Sequence, residues 1–189
     1  MKLVNFIFLG ILFFLIACEA AESRMNPKDG ATLIGTWEAQ SFTTETEDES
    51  DTNGTKILTT FDIEGLDFDY TLTLTETAYK AAGSYSLLGE VISDGHVFPV
   101  DISYTDFKGE GTYTVIGDEI TSDGIFFGLF AQAFDPFPVQ EEVTATIEKL
   151  TEDEVIFVQD SEKMFTREIE GVTSAIISKR KARSVWKRQ

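Results

Sequence analysis

The feature that most constrains the fold of this chain is an alternation of apolar and polar residues with a period of two. It is clearest in LDFDYTLTLT at residues 66–75, where the apolar positions are Leu66, Phe68, Tyr70, Leu72 and Leu74. Successive side chains of a β-strand point to opposite faces, so the pattern predicts a strand with one buried and one solvated face. Strands of this kind are typical of antiparallel sheets.

Nine or ten short strands are predicted from Leu33 onward, with no convincing helical run between them. They cover residues 35–43, 56–63, 66–75, 79–88, 96–104, 111–116, 119–127, 143–150, 155–159 and 163–169. Turn sequences separate them, namely TNG at 52–54, EGL at 64–66, SDG at 93–95, IGDE at 116–119 and TEDE at 151–154. A meander loses its exposed edges when it closes on itself. We therefore predict an all-β fold, an antiparallel up-and-down barrel of about 8–10 strands.

Charges of opposite sign occupy different parts of the chain. The formal net charge is −18, and all 33 acidic residues lie between Glu19 and Glu170. Of the 15 Lys and Arg residues, 8 lie in that span and 6 lie in the last eleven positions. A body this acidic repels nucleic-acid phosphates, so we expect no binding of DNA or RNA by the main domain.

The first residues have the pattern of a signal peptide, predicted at residues 1–17. Lys2 precedes an apolar run at residues 3–17, which is too short for a comfortable membrane-spanning helix. The run ends in LIAC, and Cys18 is the only cysteine of the chain. An uncleaved anchor, or an ordinary secretory signal with an accidental cysteine, is the alternative interpretation.

LIAC resembles the lipobox of bacterial lipoprotein precursors. The resemblance implies that Cys18 is the site of lipid attachment, where it becomes the first residue of a polar tether, residues 18–32. Glu19 follows the cysteine, which by analogy with Gram-negative sorting favours the outer membrane. We expect a cell-envelope protein anchored to a membrane, facing either the periplasm or the cell surface.

Three stretches resemble lipocalins and the bacterial lipocalin-like domains of Bacteroidetes type. LIGTWEAQSF (33–42) resembles the opening Gly-x-Trp strand, and GTYTVIGDEIT (111–121) and ATIEKLTEDEVIFV (145–158) resemble the repeated hairpins. The resemblance covers about residues 33–169, within a barrel domain predicted at residues 33–170. It implies a small antiparallel barrel whose mouth can hold an apolar ligand.

The resemblance also implies how the floor of the barrel is built. Gly35 and Trp37 are expected there, with a basic residue from a late strand packed on the indole. Arg167 is the expected basic residue and Lys163 is the alternative. Trp37 also fits a plain core position, without any family meaning.

Sequence motifs typical of catalytic or metal-binding sites are few, and each is a poor match. ESDTNG (49–54) resembles half of an EF-hand loop, but the position for the bidentate Glu is occupied by Thr60. DFDYT (67–71) lies within a strand rather than at a strand end, and the single histidine, His96, lies beside a turn. We predict no catalytic residue, no metal site and no cofactor, with an unrecognised hydrolase as the minor alternative.

The most unusual stretch is GIFFGLFAQAFDPFPV at residues 124–139. It contains five of the 16 phenylalanines, which are Phe126, Phe127, Phe130, Phe134 and Phe137. We expect these residues either to gate a ligand cavity at the barrel mouth or to form a connection packed into the core.

The basic end of the chain, residues 171–189, is predicted to be a tail. It carries one Trp among six cations, which suit an anionic surface, the chain's own acidic body or plain solvent.

Two functions of different class remain at this point. The first is binding of a small apolar or amphipathic molecule in the barrel of a lipid-anchored protein. The alternative is a solid-cored interaction or scaffold lipoprotein with no small ligand. The space left inside the barrel discriminates between them.

Overall fold

The computed structural model describes residues 31–123, 142–169 and 171–189. Eight strands are present: β1 (Gly35–Thr52), β2 (Thr55–Leu74), β3 (Ala78–Ser93), β4 (His96–Ile116), β5 (Glu119–Ser122), β6 (Val143–Leu150), β7 (Glu154–Ile169) and β8 (Val172–Arg188). Neighbours in sequence pair antiparallel, and β8 pairs with β1, so the sheet closes into a barrel in chain order. The predicted up-and-down barrel is confirmed.

Five strands are longer than their sequence patterns predict, and three of them merge separate predictions. β2, β4 and β7 each join two predicted strands, because the residues between them stay in the ladder. In β2 the predicted EGL turn is a β-bulge, with a register shift between Leu66 and Asp69 and a positive φ of 52° at Asp67. A bulge keeps the strand paired while it bends it, so a turn-like sequence does not end the strand.

The bulge also changes which face Leu66 occupies. Gly65 lies opposite Phe42 of β1, whose side chain is buried, and Leu66 is 38% exposed. The expectation that Leu66 joins the buried set is therefore wrong. The other four members of that set, Phe68, Tyr70, Leu72 and Leu74, do contact or form the core.

Two of the predicted turns are tight hairpins. Asn53 and Gly54 connect β1 to β2, and Asp94 and Gly95 connect β3 to β4, all four with positive φ. Asn-Gly and Asp-Gly pairs adopt this conformation readily, and it matches the twist of the flanking strands. These turns set the register of the two longest hairpins.

The C-terminal segment is a strand of the barrel rather than a tail. β8 pairs with β7 along Val172–Lys187 and with β1 along Ala175–Arg188. Its inner face buries Trp186, which is 1% exposed, and the indole Nε1 donates to Ser184 Oγ over 2.9 Å. The prediction of a separate tail at residues 171–189 is wrong, because the run of cations hides a period-two pattern.

The cations of β8 are on the outside, between two acidic strands. In the ladder, Lys181 lies between Glu45 of β1 and Asp160 of β7. Lys179 Nζ lies 3.6 Å from Glu47 Oε1. Exposed pairs of this kind are each worth little, but opposite charges in direct register favour this pairing over others.

The barrel has two unlike halves. The closed end contains Trp37, the β2–β3 and β6–β7 turns and the end of β8. Beyond it lies the upper half. The strands β5 and β6 contribute little to its wall, since β5 pairs with β4 over only four residues and β6 pairs with β7 over only four. Among the described residues, the wall of the upper half is formed by β7, β8, β1, β2, β3 and β4.

The described ranges contain no helix long and apolar enough to cross a membrane.

Replacement of Trp186 by Ala tests whether β8 is part of the core. The variant leaves a large cavity at the closed end, so we expect the free energy of unfolding to fall by about 3–5 kcal/mol in urea titrations. Lys187→Ala, on the outer face of the same strand, should change it by less than about 0.5 kcal/mol. Equal effects of the two substitutions would contradict the assignment.

Candidate ligand-binding site

The closed end is organised around Arg188. Its guanidinium lies over the Trp37 ring, with Cζ 4.1 Å from the ring centroid. It donates to the carbonyl oxygens of Ile34 (2.9 Å), Thr32 (2.5 Å) and Glu152 (2.5 Å). One side chain thus joins the segment before β1, the β6–β7 turn and the last strand. Cation–π and charge-assisted hydrogen bonds together make this a rigid floor.

Gly35 is required by the same arrangement. Its φ is +144°, and a Cβ added there would collide with the Arg188 guanidinium. Trp37 is fully buried, and its indole Nε1 donates to the Leu33 carbonyl over 2.8 Å. The Gly-x-Trp sequence therefore serves the contact between the indole and the cation.

The basic residue on Trp37 is Arg188, so the expectation of Arg167 or Lys163 is wrong. Arg167 pairs with Ser174, close to the β7–β8 connection at the opposite end of the barrel. It lies twelve residues along β7 from the buried Val155, which is a distance of about 40 Å in an extended strand. The basic residue comes from β8 rather than β7, because the segment predicted to be a tail forms the last strand of the barrel.

Arg188→Gln should weaken the closed end more than Arg167→Gln does. Loss of the cation over Trp37 and of carbonyl hydrogen bonds should lower the free energy of unfolding by about 2 kcal/mol. Urea titrations of both variants measure the difference. A larger effect for Arg167→Gln would instead favour Arg167 as the basic residue of the floor.

The interior of the closed end is filled by side chains. Its largest side chains are less than 2% exposed, and they are Trp37, Trp186, Tyr70, Tyr79, Phe157, Leu72, Leu74, Ile120 and Val155. Ile63 and Leu87 are equally buried but lie higher in the barrel, opposite Thr44 and Ile102 respectively. Such packing leaves no room for a small molecule among these residues. A ligand inside the barrel therefore has to lie in the upper half.

A layer of aromatic rings ends this filled region. Tyr70 is its centre, with ring centroids 5.3 Å from Tyr85, 5.8 Å from Phe107 and 5.9 Å from Trp186. Tyr104 stacks on Tyr85 at 4.9 Å. Burial raises the pKa of the Tyr70 phenol far above its ordinary value, and nearby tyrosines add to the shift. Its hydroxyl has no hydrogen-bond partner among the described residues.

Above this layer, one side of the inner face is apolar. Inward positions of β2, β3 and β4 carry half-buried side chains that pack on the core, namely Phe61, Val91 and Ile102. The ladder places Phe61 opposite Val91. A continuous apolar surface at this depth is suited to contact with hydrocarbon.

The other side of the inner face is polar. On β1 the inward residues are Thr44, Thr46 and Asp48, and the facing residues of β8 are Ala182, Arg180 and Ser178. On β7 the positions opposite Ala182 and Arg180 are Gln159 and Ser161. Buried Oδ1 of Asp48 accepts no hydrogen bond within the described part of the chain. The upper half therefore combines an apolar wall with a polar one.

A separate groove of about 240 Å³ lies over β7, β8 and β1. It is lined by Thr43, Glu45, Val158, Gln159, Asp160, Lys181, Ala182 and Arg183. Most of these are outward residues of the charged ladder, and the groove is open to solvent. Its mixed charges already have partners of opposite sign close by, which makes it a poor place for an apolar ligand.

Several residues singled out in the sequence lie outside the described residues. They are Cys18 and the predicted gating residues Phe126, Phe127, Phe130, Phe134 and Phe137. Among the described residues, no group of three or more His, Cys, Asp or Glu side chains is arranged to hold a metal ion. His96 is exposed at the start of β4, and Asp67 and Asp69 are exposed on β2.

Comparisons with known proteins give a distant likeness. No model of a known protein family matches the chain, and no curated protein matches it. The chain is similar to a lipocalin-like protein from Bacteroides uniformis, with 14% identity and a TM-score of 0.34 over 76% of this chain and 96% of that one. It is also similar to Ail, the attachment invasion locus protein of Yersinia pestis, with 8% identity and a TM-score of 0.21 over 81% and 99%. The barrel itself follows from the strand pairing of this chain.

Proposed function

We propose that the protein binds a small amphipathic molecule on the inner face of the upper half of its barrel. The observation that carries this proposal is the division of that face into an apolar wall on β2–β4 and a polar wall on β7, β8 and β1. Half-buried inward residues such as Val91 and Ile102 gain about 25 cal/mol per Å² when a ligand covers them.

Support for the location comes from the packing of the closed end. Because side chains fill that region, a ligand would rest on the aromatic layer and extend toward the hairpins. Tyr104 and Phe107 form the top of the layer and are half-buried. Aromatic rings with exposed faces and edges suit such a platform.

A second candidate is an interaction protein with no small ligand. The observation that favours it is a set of exposed apolar residues near the three hairpin ends of the upper half. They are Ile57 and Leu58, Val97 and Phe98, and Met164, Phe165 and Val172. Such residues suit contact with a partner protein.

We also propose that the barrel is tethered to a membrane of the cell envelope through an acylated Cys18. The support is the LIAC sequence and the polar residues that follow it. Residue 31 and the strand that follows enter the barrel at the closed end, beside Arg188. The twelve residues 19–30 reach at most about 40 Å, so the closed end would be the part nearer the membrane.

Native mass spectrometry of the full chain, purified from its own cell, tests the binding proposal. We expect a co-purified small molecule in the wild-type protein and its loss in Ile102→Trp, which fills the inner face. Ser103→Trp, an outward position on the same strand, is the matched control and should keep the molecule. Apo masses from several wild-type preparations would favour the interaction protein, as would equal loss in both variants.

Cys18→Ser tests the anchor separately. Without the thiol no thioether to a diacylglyceryl group can form, so the variant should move from the membrane fraction to the soluble fraction after cell lysis. Immunoblots of both fractions measure this, with Ser23→Ala as a control in the same segment. Retention of the Cys18→Ser variant in washed membranes would refute acylation as the anchor.

A further inference from the structure

The inner face of the upper half carries the opposite charge from the rest of the protein. By the strand register, its inward charged residues are the cations Lys163, Arg167 and Arg180 and one carboxylate, Asp48, among the described residues. The chain as a whole has a net charge of −18, and the outer positions of β1 and β7 are rich in Glu and Asp. Solubility does not require a cation on an inward face, so the position of Arg180 points to a ligand.

Arg180 is the inward cation whose surroundings are most informative. It lies opposite Thr46 of β1 and Ser161 of β7, and it is half-buried, whereas its neighbours Lys179 and Lys181 are exposed. Within the described ranges, its guanidinium makes no ion pair and no hydrogen bond to a side chain. A guanidinium has five donors, and partial removal from water without an acceptor is costly.

Asp48 does not neutralise Arg180. The two residues are diagonal neighbours in the ladder, since Asp48 lies opposite Ser178. Nevertheless no ion pair joins them, and Asp48 Oδ1 is buried without a hydrogen-bond partner among the described residues. A counter-ion for Arg180 is therefore missing from this wall.

We infer that the ligand is an anionic amphiphile, whose carboxylate or phosphate head group pairs with Arg180 while its hydrocarbon part covers the apolar wall. This inference rests on the proposed function, because it specifies the ligand of the same site. The planar guanidinium fits both kinds of oxyanion with two parallel hydrogen bonds. Thr46 and Ser161, on either side of Arg180, offer further hydroxyl donors.

Four probes with the same twelve-carbon chain test the inference by calorimetry on the full chain, below their micellar concentrations. They are laurate, dodecyl phosphate, 1-dodecanol and dodecyltrimethylammonium. We expect the two anions to bind about tenfold more tightly than the alcohol, a ratio typical of one charge-assisted interaction. The cation should bind more weakly than the alcohol. Comparison of laurate with dodecyl phosphate then distinguishes a carboxylate head group from a phosphate.

Arg180→Gln supplies the second arm of the test. It should remove the tenfold preference for the anions and leave the affinity for 1-dodecanol unchanged. Arg183→Gln is the matched control, since Arg183 is on the same strand but faces outward, 3.1 Å from Glu148. It should leave all affinities unchanged, and circular dichroism confirms that both variants are folded.

The outcomes separate the two proposals. Equal affinity of the wild-type protein for laurate and 1-dodecanol would overturn the inference and leave amphiphile binding intact. The same holds if Arg180→Gln and Arg183→Gln weaken anion binding equally. If none of the four probes binds, the proposed function fails, and the inference fails with it.

Discussion

The pairing of the last strand with the first is the interaction on which the rest of the structure depends. β8 forms a ladder with both β1 and β7, and without it the sheet would keep two long open edges. The same pairing brings Arg188 onto Trp37, buries Trp186 beside Tyr70 and turns Arg180 toward the interior. The closure of the barrel, the floor at its closed end and the polar wall of its upper half thus all depend on β8. Its outer cations lie between acidic strands, which explains why charges of opposite sign occupy different parts of the sequence.

Much of the fold is predictable from alternation and turn chemistry. The period of two predicts the strands, and Asn53-Gly54 and Asp94-Gly95 predict tight hairpins that the structure contains. Strand ends are less predictable, because a Gly within a strand can mark either a turn or a bulge. Gly65 lies beside a β-bulge, although its sequence predicts a turn. The two strands predicted on either side of it therefore form the single strand β2. β8 is hard to predict for another reason. A run of Lys and Arg dominates its composition, although Ala182, Ser184 and Trp186 alternate with outward residues.

The candidate site is less predictable than the fold, since it depends on contacts between strands distant in sequence. Gly35 and Trp37 lie at the start of β1, but the cation that contacts Trp37 comes from a strand about 150 residues further along, and only register identifies it as Arg188. Arg180 has no distinguishing sequence context at all. Its neighbours Lys179 and Lys181 are also basic, and only the alternation of faces separates one inward guanidinium from the outward cations.

The protein is thus a barrel with a filled closed end and an upper half with one apolar and one polar wall, which we propose to hold an anionic amphiphile. NMR of the full chain during titration with laurate tests this most directly, because the two tryptophans and the apolar wall report on different halves. We expect shifts of the methyl resonances of Val91 and Ile102, with the indole N–H resonances of Trp37 and Trp186 unchanged. Shifts centred on the two indoles, or on residues of the outer groove such as Thr43 and Val158, would contradict it.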